Sequence, residues 1–386
     1  MINVMLCGND KVFSGMLITL MSMVKYTKEP VHAYIMTMDL TELNPNYTAL
    51  GENHRKTLEK VLKEKNKNSK VTVVDETELY KREMPRNINK KTHYTPYIFL
   101  RLLCDKLDGM PDKILYLDCD LVFYGNVEEL YNIDMKDYEI AAARDFIGRL
   151  WIDVDYLNSG VVLMNLKKLR ETKGLEKSVQ MCITKKMMLP DQTALNRCCK
   201  SKLILEDRFN EQDRRKPKTV IRHFSMKLKY FPVMHSQNIK PWEIDKVHNI
   251  YKIHDYDDIY EKYVEVMKEF NNEKTRKVET KPKAEKVKTA KDNKKKAEAK
   301  VSKVKKESKK EKVEPKANKE KAKKASTKQT KMTKKKEAVE DKDKKVKTAV
   351  KTKKTASETK KKDTKTSNKK TTAKKETSRG TKKAKK

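Results

Sequence analysis

Between residues 271 and 386 the chain contains no Phe, Trp, Tyr, Leu, Ile or Cys. A segment with that makeup cannot bury enough apolar surface to offset the entropy of ordering its backbone, so it is expected to form a disordered tail. All the aromatic residues (Trp 2, Tyr 16, Phe 8) fall in residues 1–270, and any folded, active part must be built there. That length suffices for one sizeable α/β domain, or for two small ones. The same boundary divides the charge. Of the 92 Lys and Arg and 55 Asp and Glu behind the net charge of +37, the tail holds 48 and 16, leaving 44 and 39 to residues 1–270. The folded part is therefore nearly balanced, which removes the reading of the whole chain as one basic nucleic-acid binder.

The six cysteines, at 7, 104, 119, 182, 198 and 199, form no CxxC pair and sit mainly in apolar runs. This fits a reduced, intracellular protein. No signal-peptide pattern is read at the start, and the apolar stretch Val12–Val24 is too short and too interrupted to span a bilayer. A cytoplasmic location is expected, with peripheral attachment at the inner membrane face as the variant of it.

Short β-type runs alternate with helical periodicity, which predicts a mostly parallel sheet covered by helices. INVMLC (2–7), VHAYIMTM (31–38), KVTVVD (70–75), DKILYLDCD (112–120), YEIAAARD (138–145) and NSGVVLMNL (158–166) read as strands, with KLILE and VIRHF as shorter ones. Helices are expected at Phe13–Tyr26, His54–Glu64, Tyr97–Leu107, within NVEELYNI, near 166–187 and at 191–199. A last helix, DDIYEKYVEVMKEF, carries Ile259, Tyr263, Met267 and Phe270 on one face. It is read as packed on the domain.

The tripeptide Asp118-Cys119-Asp120 ends a buried strand. In an extended chain residues two apart project to one side, and α/β sheets place their ligands at the carboxyl ends of strands. Two carboxylates delivered there make half of a hard-cation site. Alone, the pattern is a weak signal, and an acidic strand-to-loop turn is its plainer reading.

Further blocks follow in order. ILYLDCDLVFYGNVEELYNID resembles the signature of glycosyltransferase family 8, VMLCGNDKVFSGMLITLMSM its nucleotide-binding first strand and helix, and TPYIFLRLL its Arg-bearing helix. LNSGVVLMNLKKLR, LPDQTALN and VIRHFS, with KPW at 240–242, are similar to its later blocks, so the resemblance spans roughly residues 2–245. It implies a GT-A fold, Rossmann-like, over residues 1–270. It also implies a metal-dependent, retaining transfer of a hexose, glucose or galactose, from a UDP-sugar to a hydroxyl on a glycan, a lipid-linked acceptor or a protein, in cell-surface glycan synthesis.

Residue by residue, the resemblance implies that Asp118, Asp120 and His223 hold a divalent ion, usually Mn2+, with Mg2+ the alternative. An imidazole beside two carboxylates suits Mn2+ better than Mg2+. Lys240 would hold the diphosphate as a point charge. The family's short Gly-containing spacer before KPW is replaced by SMKLKYFPVMHSQNI, so His235 competes with His223, and Tyr230 and Phe231 are candidates for a flap or acceptor surface. Asn9 and Asp10 stand where the family usually has two acids toward uracil and ribose. Phe13 is either a base neighbour or a core residue. For the sugar the resemblance points to Arg101, Asp120, Asn158 and Asp191, with Asp145 in support. Gln192 and Asp191 are the expected catalytic pair, Gln192 near the anomeric carbon. Thr193 replaces an acid found in some members, so no carboxylate nucleophile is available there.

Of the tail's 48 basic residues 46 are Lys, which offer solvated charge without a planar fork for bidentate readout. Three roles remain open: a solvated appendage, a tether to an anionic membrane surface, and nonspecific, salt-sensitive nucleic-acid binding, the least favoured. The alternative for the whole chain is a non-catalytic nucleic-acid-binding protein, a histone-tail-like extension on a degenerate transferase fold.

Overall fold

The computed structural model describes residues 1–89, 94–229 and 235–273. The lysine-rich tail beyond residue 273, together with Tyr230 and Phe231, lies outside the described residues. Strands β1 (Ile2–Cys7), β2 (Val31–Thr37) and β3 (Lys70–Asp75) alternate with helices α1 (Phe13–Tyr26) and α2 (Glu52–Lys65). A short α3 (Thr77–Glu83), absent from the sequence reading, follows β3. Next come β4 (Lys113–Leu117), β5 (Leu121–Phe123), α4 (Glu128–Tyr131), β6 (Ile140–Arg144), α5 (Gly148–Trp151) and β7 (Leu157–Asn165). The described part continues through α6 (Leu166–Thr172), α7 (Gly174–Thr184), α8 (Pro190–Cys198), β8 (Lys202–Leu205), β9 (Ile221–His223), β10 (Lys227–Lys229) and β11 (His235–Gln237). A closing helix runs over 257–273. No described helix is long and apolar enough to cross a membrane.

The main sheet has seven strands in the order β3-β2-β1-β4-β7-β6-β8. Only the β4–β7 and β6–β7 pairings are antiparallel, so β7 is the one reversed strand in the expected mostly parallel sheet. Alternation along β1 divides the core. Ile2, Val4 and Leu6 pack with α1 and α2 on one face, while Met5 and Cys7 face the layer containing α7 and α8 on the other.

Three elements differ from the sequence reading. The expected helix Tyr97–Leu107 is wound as 3-10 turns, Pro96–Leu102 and Cys104–Lys106. Six of the seven residues in the first turn are buried, so no exposed face imposes an α-helical period. The single helix expected near 166–187 breaks at Lys173, which adopts a left-handed φ of 57° between α6 and α7. The run 112–120 is strand only to Leu117, and Asp118–Asp120 make the turn into β5.

The closing helix packs on the domain. Phe270 and Ile259 are buried, Phe270 stacks at 4.8 Å on Phe13, and the Tyr263 hydroxyl donates to Ser14 Oγ at 2.8 Å. Phe13 is thus a core residue at the start of α1, 1% exposed, which decides between its two readings.

Glu76, at the β3–α3 junction, is fully buried with neither carboxylate oxygen hydrogen-bonded. Burial, and then the charge of Asp75, push its carboxyl well above the ordinary value. A raised folded-state pKa means that stability is highest below the unfolded value and is lost as pH rises toward the folded one. Glu76→Met keeps the volume and removes the orphaned group. It is expected to raise stability at neutral pH by about 1–3 kcal/mol, with the Tm advantage over the native chain growing between about pH 5 and 8; thermal melts across that range check it.

Candidate active site

The parallel pairing of β1 with β4, Met5 opposite Tyr116, puts the loops after both strands on one edge of the sheet. Backbone contacts then fix the acidic turn. Asp118 N donates to Gly160 O at 2.8 Å, and Phe224 N donates to Asp120 O at 2.9 Å. The second contact follows from the β5–β9 ladder, which sets Leu121 opposite His223. His223 Nε2 consequently lies 3.2 Å from Asp120 Oδ1 and 3.6 Å from Asp118 Oδ2. One ligand atom from each of the three residues falls within 4.8 Å of the others.

The protonation of His223 follows from its neighbours. Asn210 donates through Nδ2 to Asn158 Oδ1 at 2.9 Å, so its Oδ1, 3.0 Å from His223 Nδ1, can only accept. Nδ1 therefore carries a proton, and Nε2 faces the two carboxylates. Burial pushes the imidazole pKa down, but Asp120 and then Asp118 more than reverse it, holding it above the ordinary histidine value. The cluster thus draws positive charge, whether as a proton on Nε2 or as a cation, and its donor set fits a divalent ion. Gly160 makes room for the ring, since a Cβ there would stand 2.3 Å from His223 Cε1. His235, the competing ligand, is exposed on the separate β10–β11 ladder and is not part of this cluster.

Lys240 Nζ reaches Asp120 Oδ2 at 2.6 Å and Phe224 O at 3.2 Å, putting the KPW segment at the acidic turn. Burial alone would raise the Asp120 pKa, but Lys240 and His223 outweigh it and hold the carboxyl well below the usual range. Gly15 of α1 allows this arrangement. A Cβ there would sit 2.2 Å from Cys119 O and 2.5 Å from the Trp242 ring.

Beside the cluster lies a buried polar network. Arg101, 3% exposed, donates to Asp118 Oδ1 at 3.0 Å and Ser159 O at 2.7 Å, and its Nε stands 3.3 Å from Asp191 Oδ2. Its guanidinium stacks 3.8 Å from the Tyr116 ring, whose hydroxyl donates to Asp118 Oδ1 at 2.6 Å. Burial raises Asp191 above the ordinary carboxyl value even with Arg101 opposing. Asp145 Oδ2 accepts from Asn158 Nδ2 at 2.7 Å and Gln192 Nε2 at 3.2 Å, while its Oδ1 accepts the backbone N–H of Ile147 and Gly148. Gln192 Oε1 accepts from Ser159 N at 3.0 Å. Thr193 is tied to the Tyr156 hydroxyl at 2.8 Å.

Asp118, Asp120 and His223 are thus brought together, with Lys240 against them, and Arg101, Asp145, Asn158, Asp191 and Gln192 form one connected network alongside. Asn9 and Asp10 stand at the end of β1. Asn9 is buried, donating to Asn46 O at 2.9 Å and accepting from Lys11 N, while Asp10 pairs with His54 at 2.9 Å. The sequence reading missed Tyr116, Ser159 and Asn210. Tyr116 has a signal, being two residues before Asp118; Asn210, in a short turn of unremarkable sequence, has none.

The fold is a helix-flanked, mostly parallel α/β sheet with a cluster of metal-ligand-type side chains beyond its strand ends. A family profile described as Glycosyl transferase family 8 matches residues 3–246, and the chain belongs to that family. It is similar to a putative glycosyltransferase of Haemophilus influenzae, 32% identical over 129 residues, or 29% of this chain and 38% of that protein. It is also similar to the lipopolysaccharide glucosyltransferase WaaO of Escherichia coli K12, 28% identical over 145 residues, 33% of this chain and 43% of that one. Glycosyltransferase GlyA of Streptococcus pneumoniae serotype 4 is 50% identical over 54 residues, 14% of this chain and 8% of that protein. The matched segments therefore span less than half the length of these relatives. Among solved structures, an active-site mutant of LgtC superposes with a TM-score of 0.50 at 17% identity, covering 69% of this chain and 96% of that one, which supports the GT-A-like fold.

Asn210→Ala removes the acceptor that fixes the His223 proton on Nδ1. It is expected to weaken the affinity of the three-residue cluster for a divalent cation by about 10–100-fold with the fold intact; calorimetric titration with a divalent cation, beside a circular dichroism melt, measures both.

Proposed function

We propose that the chain transfers a hexose, glucose or galactose, from a UDP-sugar to a hydroxyl acceptor with retention of anomeric configuration, in the building of a cell-surface glycan. The observation that carries this reading is the placing of Asp118, Asp120 and His223 with Lys240 at one end of the Arg101–Asp145–Gln192 network. Asp118, Asp120 and His223 would hold Mn2+, or Mg2+ in its place. Such an ion supplies Lewis-acid neutralisation of the charge that develops on a departing diphosphate. Lys240 adds a second positive charge there, released from Asp120 as the donor's phosphates take its place. Asn9 and Asp10, on the neighbouring loop, fit the uridine side.

Arg101, Asp145, Asn158 and Asp191 provide the donors and acceptors that orient a hydroxyl-rich ring. The buried carboxylates are already engaged, Asp145 by four donors and Asp191 by the Arg101 guanidinium. Each is a poor nucleophile in that state. The arrangement favours retention in which the departing phosphate accepts the acceptor's proton while Gln192 orients the sugar, over a covalent enzyme intermediate. The lipopolysaccharide glucosyltransferases among the relatives support a glycan acceptor and a glucose donor.

The full chain with Mn2+ is expected to release UDP from UDP-glucose or UDP-galactose, and Asp118→Asn to lower kcat/KM by at least about 100-fold, the scale of losing one charge-stabilising group. If the protein binds no UDP with Mn2+, turns over no common UDP-hexose, and Asp118→Asn changes nothing, the proposal fails.

A further inference from the structure

Between the KPW segment and the closing helix the backbone departs twice from ordinary geometry. Val247–Tyr251 form a π turn, a rare conformation concentrated at functional sites. Lys252 then takes a φ of 55°, one of two left-handed non-glycine residues among the described ones. Together they turn the chain back so that the ring of His254 stacks on that of His248, centroids 4.4 Å apart. Asp257, at the start of the closing helix, gives one oxygen to each: Oδ1 lies 2.8 Å from His248 Nε2 and Oδ2 3.2 Å from His254 Nδ1. Ligand-type atoms of all three residues fall within 4.8 Å of one another.

We propose that His248, His254 and Asp257 bind a transition-metal ion of the Zn2+ class, at a site separate from Asp118, Asp120 and His223. Two imidazoles and one carboxylate match the ligand preference of Zn2+, whereas Mg2+ and Mn2+ favour oxygen-rich sets. One ion satisfies both ring nitrogens and the carboxylate at once. All three ligands come from ten consecutive residues, so closing the loop costs little chain entropy. The neighbouring carboxylates are committed elsewhere, Asp255 to Arg215 at 3.0 Å and Asp258 to Lys25 at 2.6 Å, which leaves Asp257 to the histidines. With side chains 27%, 61% and 43% exposed, the cluster is open to an ion from solution and keeps a coordination position for water. The tail holds no His or Cys to compete.

The site has a mechanical consequence. The His248 ring meets Tyr260 edge-on at 5.6 Å, and the Tyr260 hydroxyl donates to Pro241 O, next to Lys240. An ion here clips the first turn of the closing helix to the π turn, and so stiffens the segment that presents Lys240.

The test uses the full chain, freed of metal and then dialysed against micromolar Zn2+ with Mn2+ in excess. The native protein is expected to retain one Zn2+ per chain by elemental analysis, and its Tm to rise by a few degrees on Zn2+ addition. His254→Ala should retain at least about tenfold less Zn2+ and lose the Tm response, since one of three ligands is gone, while its metal-free Tm, and its UDP release with Mn2+ in the absence of Zn2+, stay at native values. Asp118→Asn should keep its Zn2+. Zn2+ retained undiminished by both His254→Ala and Asp257→Asn, or lost in Asp118→Asn, overturns the proposal. If His254→Ala fails to fold, Asp257→Asn carries the same reading.

Discussion

The site is organised around one buried cation. Arg101 is buried, so its charge is balanced by Asp118 from the strand-end turn and Asp191 from α8, with Ser159 O taking a further hydrogen bond. Removing a partner of such a pair leaves an uncompensated buried charge, a far larger penalty than the pair's net worth. The consequence is rigidity between elements distant in sequence: β4, β7 and α8 cannot shift separately without stranding the guanidinium. The Tyr116 ring beneath it adds a cation–π contact. Groups held this way need little reorganisation when charge develops beside them.

The strands of the sheet were legible because each is an apolar run bounded by polar residues, and the two-carboxylate turn because it ends the most apolar of them. The segment 96–102 was legible as an element but not in its winding, because nearly every side chain in it is buried and the residue pattern carries no face. The break at Lys173 was hidden by its neighbour. Gly174 is the residue expected at a left-handed helix end, and the structure puts that conformation one position earlier, on a lysine. What could not be read at all was the His223–Asn210–Asn158–Asp145 chain of hydrogen bonds, whose members are brought together only by the β5–β9 and β6–β7 pairings. The family resemblance pointed to His223 as a ligand, but the nitrogen that faces the carboxylates is decided by tertiary neighbours.

The charge of the chain reads differently once the fold is known. In the folded part, many lysines and arginines pair with carboxylates, some with one, as in Lys25–Asp258 and Arg215–Asp255, and some with two, as in Arg208 with Glu129 and Glu206. Lys240 and Arg101 stand apart in pairing with the carboxylates of the acidic turn.

Gly15 has a wider meaning than local packing. The missing side chain lets α1 touch both the Cys119 carbonyl and the Trp242 ring, so a single hydrogen atom acts as the spacer between the first helix, the acidic turn and the KPW segment. Three stretches drawn from a span of more than two hundred residues of sequence thereby share one clearance, like parts machined to a common gauge. Any change that moved one of them outward would have to alter all three together.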